Sequence, residues 1–253
     1  MTNIGVWQPE GGRRLSGHPI TRGLVMAVNF ASQSVDSGAS SATVPIPEDT
    51  DIAGPGRWLR GNVAYATGIN RFGRWVGFSA ASSSSMLEWQ RSDFVPSSGG
   101  VTILFLYEKA DATNRASWVS GVNYGLSGVA YAINVHCPYS DGTVYWDFGG
   151  NGAPNRCSVG GLTFGADVWI FNVGSRGQEI WQNGIKRASN ANNPTRSVDN
   201  TMPFILGGGP SGSGQASDIA HYNIYCMWNR QLATEEIIAL SADPYMLWGF
   251  NSR

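Results

Sequence analysis

Charge is scarce in this chain. Only 14% of its 253 residues are Asp, Glu, Lys or Arg, the formal net charge is -1, and no run of Lys and Arg exceeds a pair. Proteins that bind nucleic acid carry a basic patch or stripe to neutralise phosphates, so nucleic acid is not an expected partner. No stretch approaches the roughly 18 unbroken apolar residues of a membrane-spanning helix. The opening MTNIGVWQPEGGRRLSGHP has no apolar run behind its two arginines and does not read as a secretory signal. The expectation is a soluble protein made in a cytoplasm, with no membrane partner.

Cysteine is nearly missing. Cys137, Cys157 and Cys226 are odd in number and lack C-x-x-C spacing, which gives neither a zinc site nor a disulfide framework; three reduced, mostly buried thiols are expected. Catalytic patterns are missing as well. His18, His136 and His221 are scattered and no G-x-S-x-G elbow exists to accompany them. Retaining glycosidases need two carboxylates about 5–5.5 Å apart, and no strand carries alternating acids that would place them on one face. Glu48, Asp49 and Asp51 crowd a proline loop, while Glu88 and Asp93 fall on opposite faces if their segment is extended. The glycine-rich run Gly207–Gly214 lacks the Lys-Ser/Thr of a phosphate loop and reads as a connection between strands. The reading is a protein without catalytic residues.

What is abundant is glycine, at 33 residues, and tryptophan, at 10. That balance suits strands and turns around an aromatic core. The first 60 residues read mostly as loop, with one short apolar run at 23–29. Beyond the ASQSVDSGASS tract, VPIPEDTDIAGPG holds Pro45, Pro47 and Pro55 beside Gly54 and Gly56, which argues against regular structure. Residues 1–57 are therefore expected to be an extended arm, and 58–253 the folded domain.

From Trp58 onward, short β-branched and aromatic runs recur between Gly, Ser, Asn and Pro. Val101–Tyr107 is continuous enough for a strand buried on both faces. Further strands are expected at 116–122, 130–137, 143–148, 156–159, 167–174, 178–182, 185–188, 202–206 and 219–228. Asn183-Gly184 specifies a two-residue hairpin, because both central residues of a type I′ turn take φ > 0. One helix is expected in LATEEIIALSADPYMLW: Thr234 as its cap, Glu235 and Glu236 in its first turn, Ile237, Ile238 and Leu240 inward, and Pro244 at its stop.

The segment HCPYSDGTVYWDFGGNG gathers a histidine, a cysteine and two aspartates and invites an active-site reading. It parses instead as two strands about a turn at Ser140-Asp141-Gly142. Val144, Trp146 and Phe148 then share the core face, and Tyr145 and Asp147 the outer one. If the chain returns after Pro154, Arg156 falls opposite Asp147 as an exposed pair, and His136 also points outward. Cys137 and Cys157 flank this strand about 10 Å apart, too far for the roughly 7 Å reach of a disulfide.

Four segments in this order, VTILFLYEK, EIWQNGIKRAS, FILGGGPSGSG and HYNIYCMWNRQLATEEIIALS, resemble the laminin-G-like, or concanavalin A-like, jelly roll over roughly residues 60–242. The opening HPITRGLVMAVNFASQS, the central PYSDGTVYWDFGG and the tail LSADPYMLWGF resemble a branch of such domains found in tailed-bacteriophage and prophage virion proteins, departing from it at His18-Pro19 and Trp248. The resemblance implies an all-β, two-sheet jelly-roll sandwich with one short helix near the C-terminus. It also implies a non-enzymatic virion protein: a head decoration or other accessory protein docked on the major capsid protein or a tail protein, located on the virion. The alternative is a carbohydrate-binding adhesin module of a tail or fibre, recognising a host-surface glycan; a glycoside hydrolase is the weaker third reading. A homo-oligomer follows from how such proteins occupy symmetric shells. Domains of this kind bind sugars through aromatic faces and a few amides or carboxylates, for which Trp58, Tyr124, Tyr139, Asp141 and Asn151 are the candidates. They also hold Ca²⁺ at the sandwich rim, and Asp141, Asp147, Asn151 and Asp218 are candidate oxygen ligands.

Overall fold

The structure is a computed structural model that describes residues 19–29, 44–45, 57–59, 65–78, 86–89, 95–109, 119–120, 133–150, 152–196, 204–206 and 220–248. Its strands are β1 (Leu24–Asn29), β2 (Val44–Pro45), β3 (Arg57–Leu59), β4 (Tyr65–Asn70), β5 (Gly73–Phe78), β6 (Met86–Trp89), β7 (Val101–Lys109), β8 (Val119–Ser120), β9 (Ile133–His136), β10 (Val144–Phe148), β11 (Arg156–Val159), β12 (Ala166–Gly174), β13 (Gly177–Gln182), β14 (Ile185–Asn190), β15 (Phe204–Leu206) and β16 (Ala220–Trp228). One helix, α1 (Thr234–Ala242), follows them. The chain is an all-β, two-sheet sandwich of the concanavalin A-like kind.

One layer is an eight-stranded sheet in the order β14-β13-β12-β7-β16-β5-β4, with β1 also paired to β16. The groups β11-β10-β9 and β2-β3-β6-β15-β8 make the other layer, with β8 lying beside β9. Between the layers, Val101, Ile103, Phe105 and Tyr107 of β7 meet Trp146 and Phe148 of β10 and Trp169 and Phe171 of β12. The alternate residues Leu104, Leu106, Val168 and Ile170 point to the opposite face, where Ile237 and Leu240 of α1 and Leu247 and Trp248 cover them. The centre of the long sheet is thus buried on both faces, which is why β7 is apolar without alternation. In β16 the two faces exchange parity: Tyr222 lies between the layers, yet so does Tyr225, because the register with β7 slips between Tyr222 and Ile224. Such a bulge re-aims the residues beyond it.

Several expectations are corrected. Leu24–Asn29 lies within the arm expected at 1–57, but it pairs with β16 and buries Leu24 through Val28, so this part of the N-terminal region belongs to the sheet. Val44–Pro45, placed in a segment thought too proline-rich for structure, pairs with Arg57 and Trp58. It sits at the end of its strand row, where a proline costs no ladder hydrogen bond. Strands β4 to β6 were not foreseen: glycines interrupt the apolar pattern of β4 and β5, and β6 is only four residues long. At the helix, Ala233 occupies the cap position and Thr234 is the first helical residue. The capping contact comes from Glu236, whose carboxylate accepts the Ala233 N–H (2.8 Å) and forks with Arg230 (2.7 and 2.6 Å). Ile237 and Leu240 are buried as expected, whereas Ile238 is about half exposed, at 51%.

The three cysteines are buried thiols, none of them in a disulfide. Burial, with the charge of Glu179 adding, pushes the Cys157 thiol up to about 11. It therefore carries no thiolate at neutral pH.

Candidate functional site

Two of the polar clusters among the described residues bear on a candidate site. The first is the outer face of β9, β10 and β11. The register there pairs Tyr145 with His136 and Ser158, and Asp147 with Asn134 and Arg156, as the two-strand reading required. Asp147 and His136 both lie on the outward face as expected, but Asp147 is fully buried there and His136 nearly so, and neither is exposed. Arg156 closes over Asp147 with two 2.7 Å contacts and lies 4.4 Å from the Tyr145 ring centre. Burial is the largest influence on the Asp147 carboxyl and raises it, with Arg156 opposing.

At the tip of this hairpin, the Asp141 carboxylate accepts the Thr143 N–H (2.8 Å) and the Tyr145 hydroxyl (2.6 Å). The Tyr145 hydroxyl, followed by the Thr143 amide, holds the Asp141 carboxyl below its ordinary value, and the same bond raises Tyr145. Tyr139 packs edge-on against His136 (5.1 Å) and Tyr145 (6.0 Å). The structure therefore brings Tyr139 and Asp141 together. It places Trp58 on β3 and not on a loop, while Tyr124, Asn151 and Asp218 lie outside the described residues. The calcium set fits poorly: both Asp147 oxygens serve Arg156, and among the described residues no group of three or more His, Cys, Asp or Glu could hold an ion. Of the other histidines, His221 stacks on Trp75 (3.6 Å between ring centres) with Nδ1 3.2 Å from Glu108 Oε2; His18 lies outside the described residues.

The second place was not foreseen. An open pocket of about 410 Å³ lies between the loop before β12 and the tip of the β13–β14 hairpin, lined by Gly161 to Gly165, Asp167, Gln182, Asn183 and Arg187. The tip has the expected turn, with φ of 51° at Asn183 and 77° at Gly184. Asn183 docks it onto β12: its N–H donates to the Val168 carbonyl (2.8 Å) and its Oδ1 accepts the Val168 N–H (2.9 Å). Its amide also donates to Asp167 Oδ1 (2.8 Å). Gln182 donates to Asp167 Oδ2 (3.0 Å) and to the Thr163 carbonyl (2.7 Å), tying the loop to the hairpin. Phe164 stacks on the buried Trp169, 5.8 Å between ring centres. Arg71, from the β4–β5 turn, donates to the Ala166 carbonyl and sets Nη2 3.4 Å from Asp167 Oδ1. The sequence signal for this pocket was the polar pair Gln182-Asn183 at a hairpin tip; register alone does not reveal which loop that tip will face.

No family model matches this chain, and no curated protein matches it either. Solved structures do. A mutant sialidase of Trypanosoma rangeli displaying trans-sialidase activity matches with a TM-score of 0.59 at 14% identity, over 91% of this chain; the chain spans 34% of that protein. Domain 4 of AbnA, a GH43 extracellular arabinanase of Geobacillus stearothermophilus solved in complex with arabinotriose, matches with a TM-score of 0.56 at 14% identity, over 86% of this chain and 98% of that one. The binding domain of Paraclostridial Mosquitocidal Protein 1 gives a TM-score of 0.56 at 15% identity, over 89% and 53% of the two chains. At these identities the likeness establishes the fold.

Proposed function

We propose that this protein is a non-enzymatic carbohydrate-binding sandwich whose binding site is the pocket at Phe164, Gln182, Asn183 and Arg187. The observation that carries the reading is the pre-set geometry of that pocket: amides locked by a carboxylate beside an aromatic ring and a guanidinium, at a size within the roughly 300–1,000 Å³ of small-molecule sites. Its neighbours in fold include an arabinanase domain solved with arabinotriose, which supports the same reading, and the binding domain of a mosquitocidal protein. Binding without turnover is favoured because the carboxylate here is spent on holding amides and is not poised against a second acid.

The experiment is calorimetric titration or array screening with oligosaccharides, using wild-type protein, Phe164→Ala and Asn183→Gly. Glycine keeps the positive φ of the turn while removing the amide. The expected result is saccharide binding weakened about tenfold or more in either variant, the scale of one lost polar contact or packed aromatic. Saccharide binding that neither variant weakens would overturn the assignment of the pocket.

The display of this module on a bacteriophage virion, as a decoration or other accessory protein touching the major capsid or a tail protein, is part of the proposal. It rests on the likeness of HPITRGLVMAVNFASQS and LSADPYMLWGF to phage sequences. Proteomics of purified particles tests it; finding the protein only in lysate would remove the virion role and leave the binding role intact.

A further inference from the structure

The geometry points to an anionic saccharide, one bearing a carboxylate or a sulfate, as the ligand of this pocket; the inference rests on the carbohydrate reading above and adds the chemistry of the group recognised. The reason lies in how the one carboxylate in the lining is used. Asp167 accepts from the Gly165 N–H (3.1 Å), the Gln182 amide (3.0 Å), the Asn183 amide (2.8 Å) and the more distant Arg71 guanidinium (3.4 Å). A carboxylate offers about four lone-pair directions, so little acceptor capacity remains for sugar hydroxyls. Asp167 is a positioning residue, and its charge is met by Arg71.

The remaining charged group in the lining is Arg187. Its place there has a backbone cause. Opposite β14, Ile180 pairs with Ala188 and Trp181 with Lys186, so Arg187 is the extra residue of a bulge. Lys186 turns to the other side, donating to Glu179 (2.8 Å) and lying over the Trp181 ring. The bulge thus splits two adjacent cations between two destinations, and Arg187 lines the pocket. With Asp167 occupied and its charge met by Arg71 from outside the lining, Arg187 is the charge that the pocket presents to a ligand. An arginine suits such a task, since its planar fork takes a carboxylate or sulfate in two parallel hydrogen bonds. Phe164, half-buried beside it, offers an apolar surface to a sugar ring.

The test titrates the full chain with three oligosaccharide probes: a neutral one, one of uronic acids, and a sulfated one, at low and at raised salt. The expected result is a preference of about tenfold or more for one or both acidic probes, falling with salt. In Arg187→Ala the acidic-to-neutral ratio should collapse towards one, and Arg187→Lys should restore it in part. Arg187 is exposed, and circular dichroism checks that its variants fold. If neutral and acidic probes bind alike and both are lost in Asn183→Gly, the anionic inference falls while the carbohydrate site stands. If no probe binds in a manner sensitive to Phe164 or Asn183, both fall.

Discussion

At the residue scale, the most instructive group is Asp147. Alternation placed it on the outer face of β10, and the register confirmed Arg156 opposite, yet the carboxylate is fully buried and chelated by a guanidinium that is itself 31% exposed. Strand parity reveals which way a side chain points but not what closes over it. An exposed pair would contribute about 0–1 kcal/mol; a carboxylate buried under its only cation behaves otherwise. Arg156→Ala should cost about 2–4 kcal/mol in urea denaturation, because it leaves a buried charge uncompensated. Burial already raises the Asp147 carboxyl, and removing the opposing cation raises it further. A group raised in the folded state contributes most below its unfolded value and loses that contribution as pH rises through the folded one. The deficit of the variant should therefore shrink in acid and be full at neutral pH; a deficit independent of pH would show that Asp147 is not the group left exposed to the loss.

At the element scale, strands marked by apolar or alternating runs between turn residues were legible in the sequence: β7, β10, β11, β12, β13 and β16 were bounded within a few residues. Those broken by glycine, such as YATGIN and GRWVGF, were not, since their pairing is set by β16 and by each other and not by local pattern. The Asn183-Gly184 turn was legible for the same reason it is useful: local chemistry demands it, and the tip then projects Asn183 to Asp167. The helix was legible, its cap was not. The motif ATEE offers Thr234 as the obvious cap, but the contact is made backwards, from Glu236 to the Ala233 N–H and to Arg230. Arg230 first, then the Ala233 amide, hold the Glu236 carboxyl below its ordinary 4.5. A lowered carboxyl contributes stability that is complete above the ordinary value and is lost as pH falls through the folded one. Glu236→Gln should cost about 1–2 kcal/mol at neutral pH, and the difference from wild type should narrow in acid, as read by thermal melts across pH.

At the scale of the whole molecule, the sandwich closes through its two ends. The segments PITRGL and DPYMLW meet on the outer face of the eight-stranded sheet. Ile20 is buried there with Leu247 and Trp248, and its carbonyl accepts the indole N–H of Trp228 (2.7 Å). Tyr245 reaches back to the Phe72 carbonyl (2.6 Å), and Arg230 donates to the carbonyl of Arg22 (2.6 Å). Together with α1, these segments cover the second face of the sheet. The candidate site is built from hairpin and loop, and no local pattern in the sequence reveals which loop the hairpin tip will face. The cover also makes a claim about cooperativity. If residues 245–248 are part of the core, Trp248→Ala removes a nearly fully buried indole and should cost about 3–5 kcal/mol, lowering the urea midpoint in a single transition whose slope is unchanged. If the C-terminal turn merely rests on the sheet, the loss should fall below about 1 kcal/mol, the range of substitutions outside a packed core.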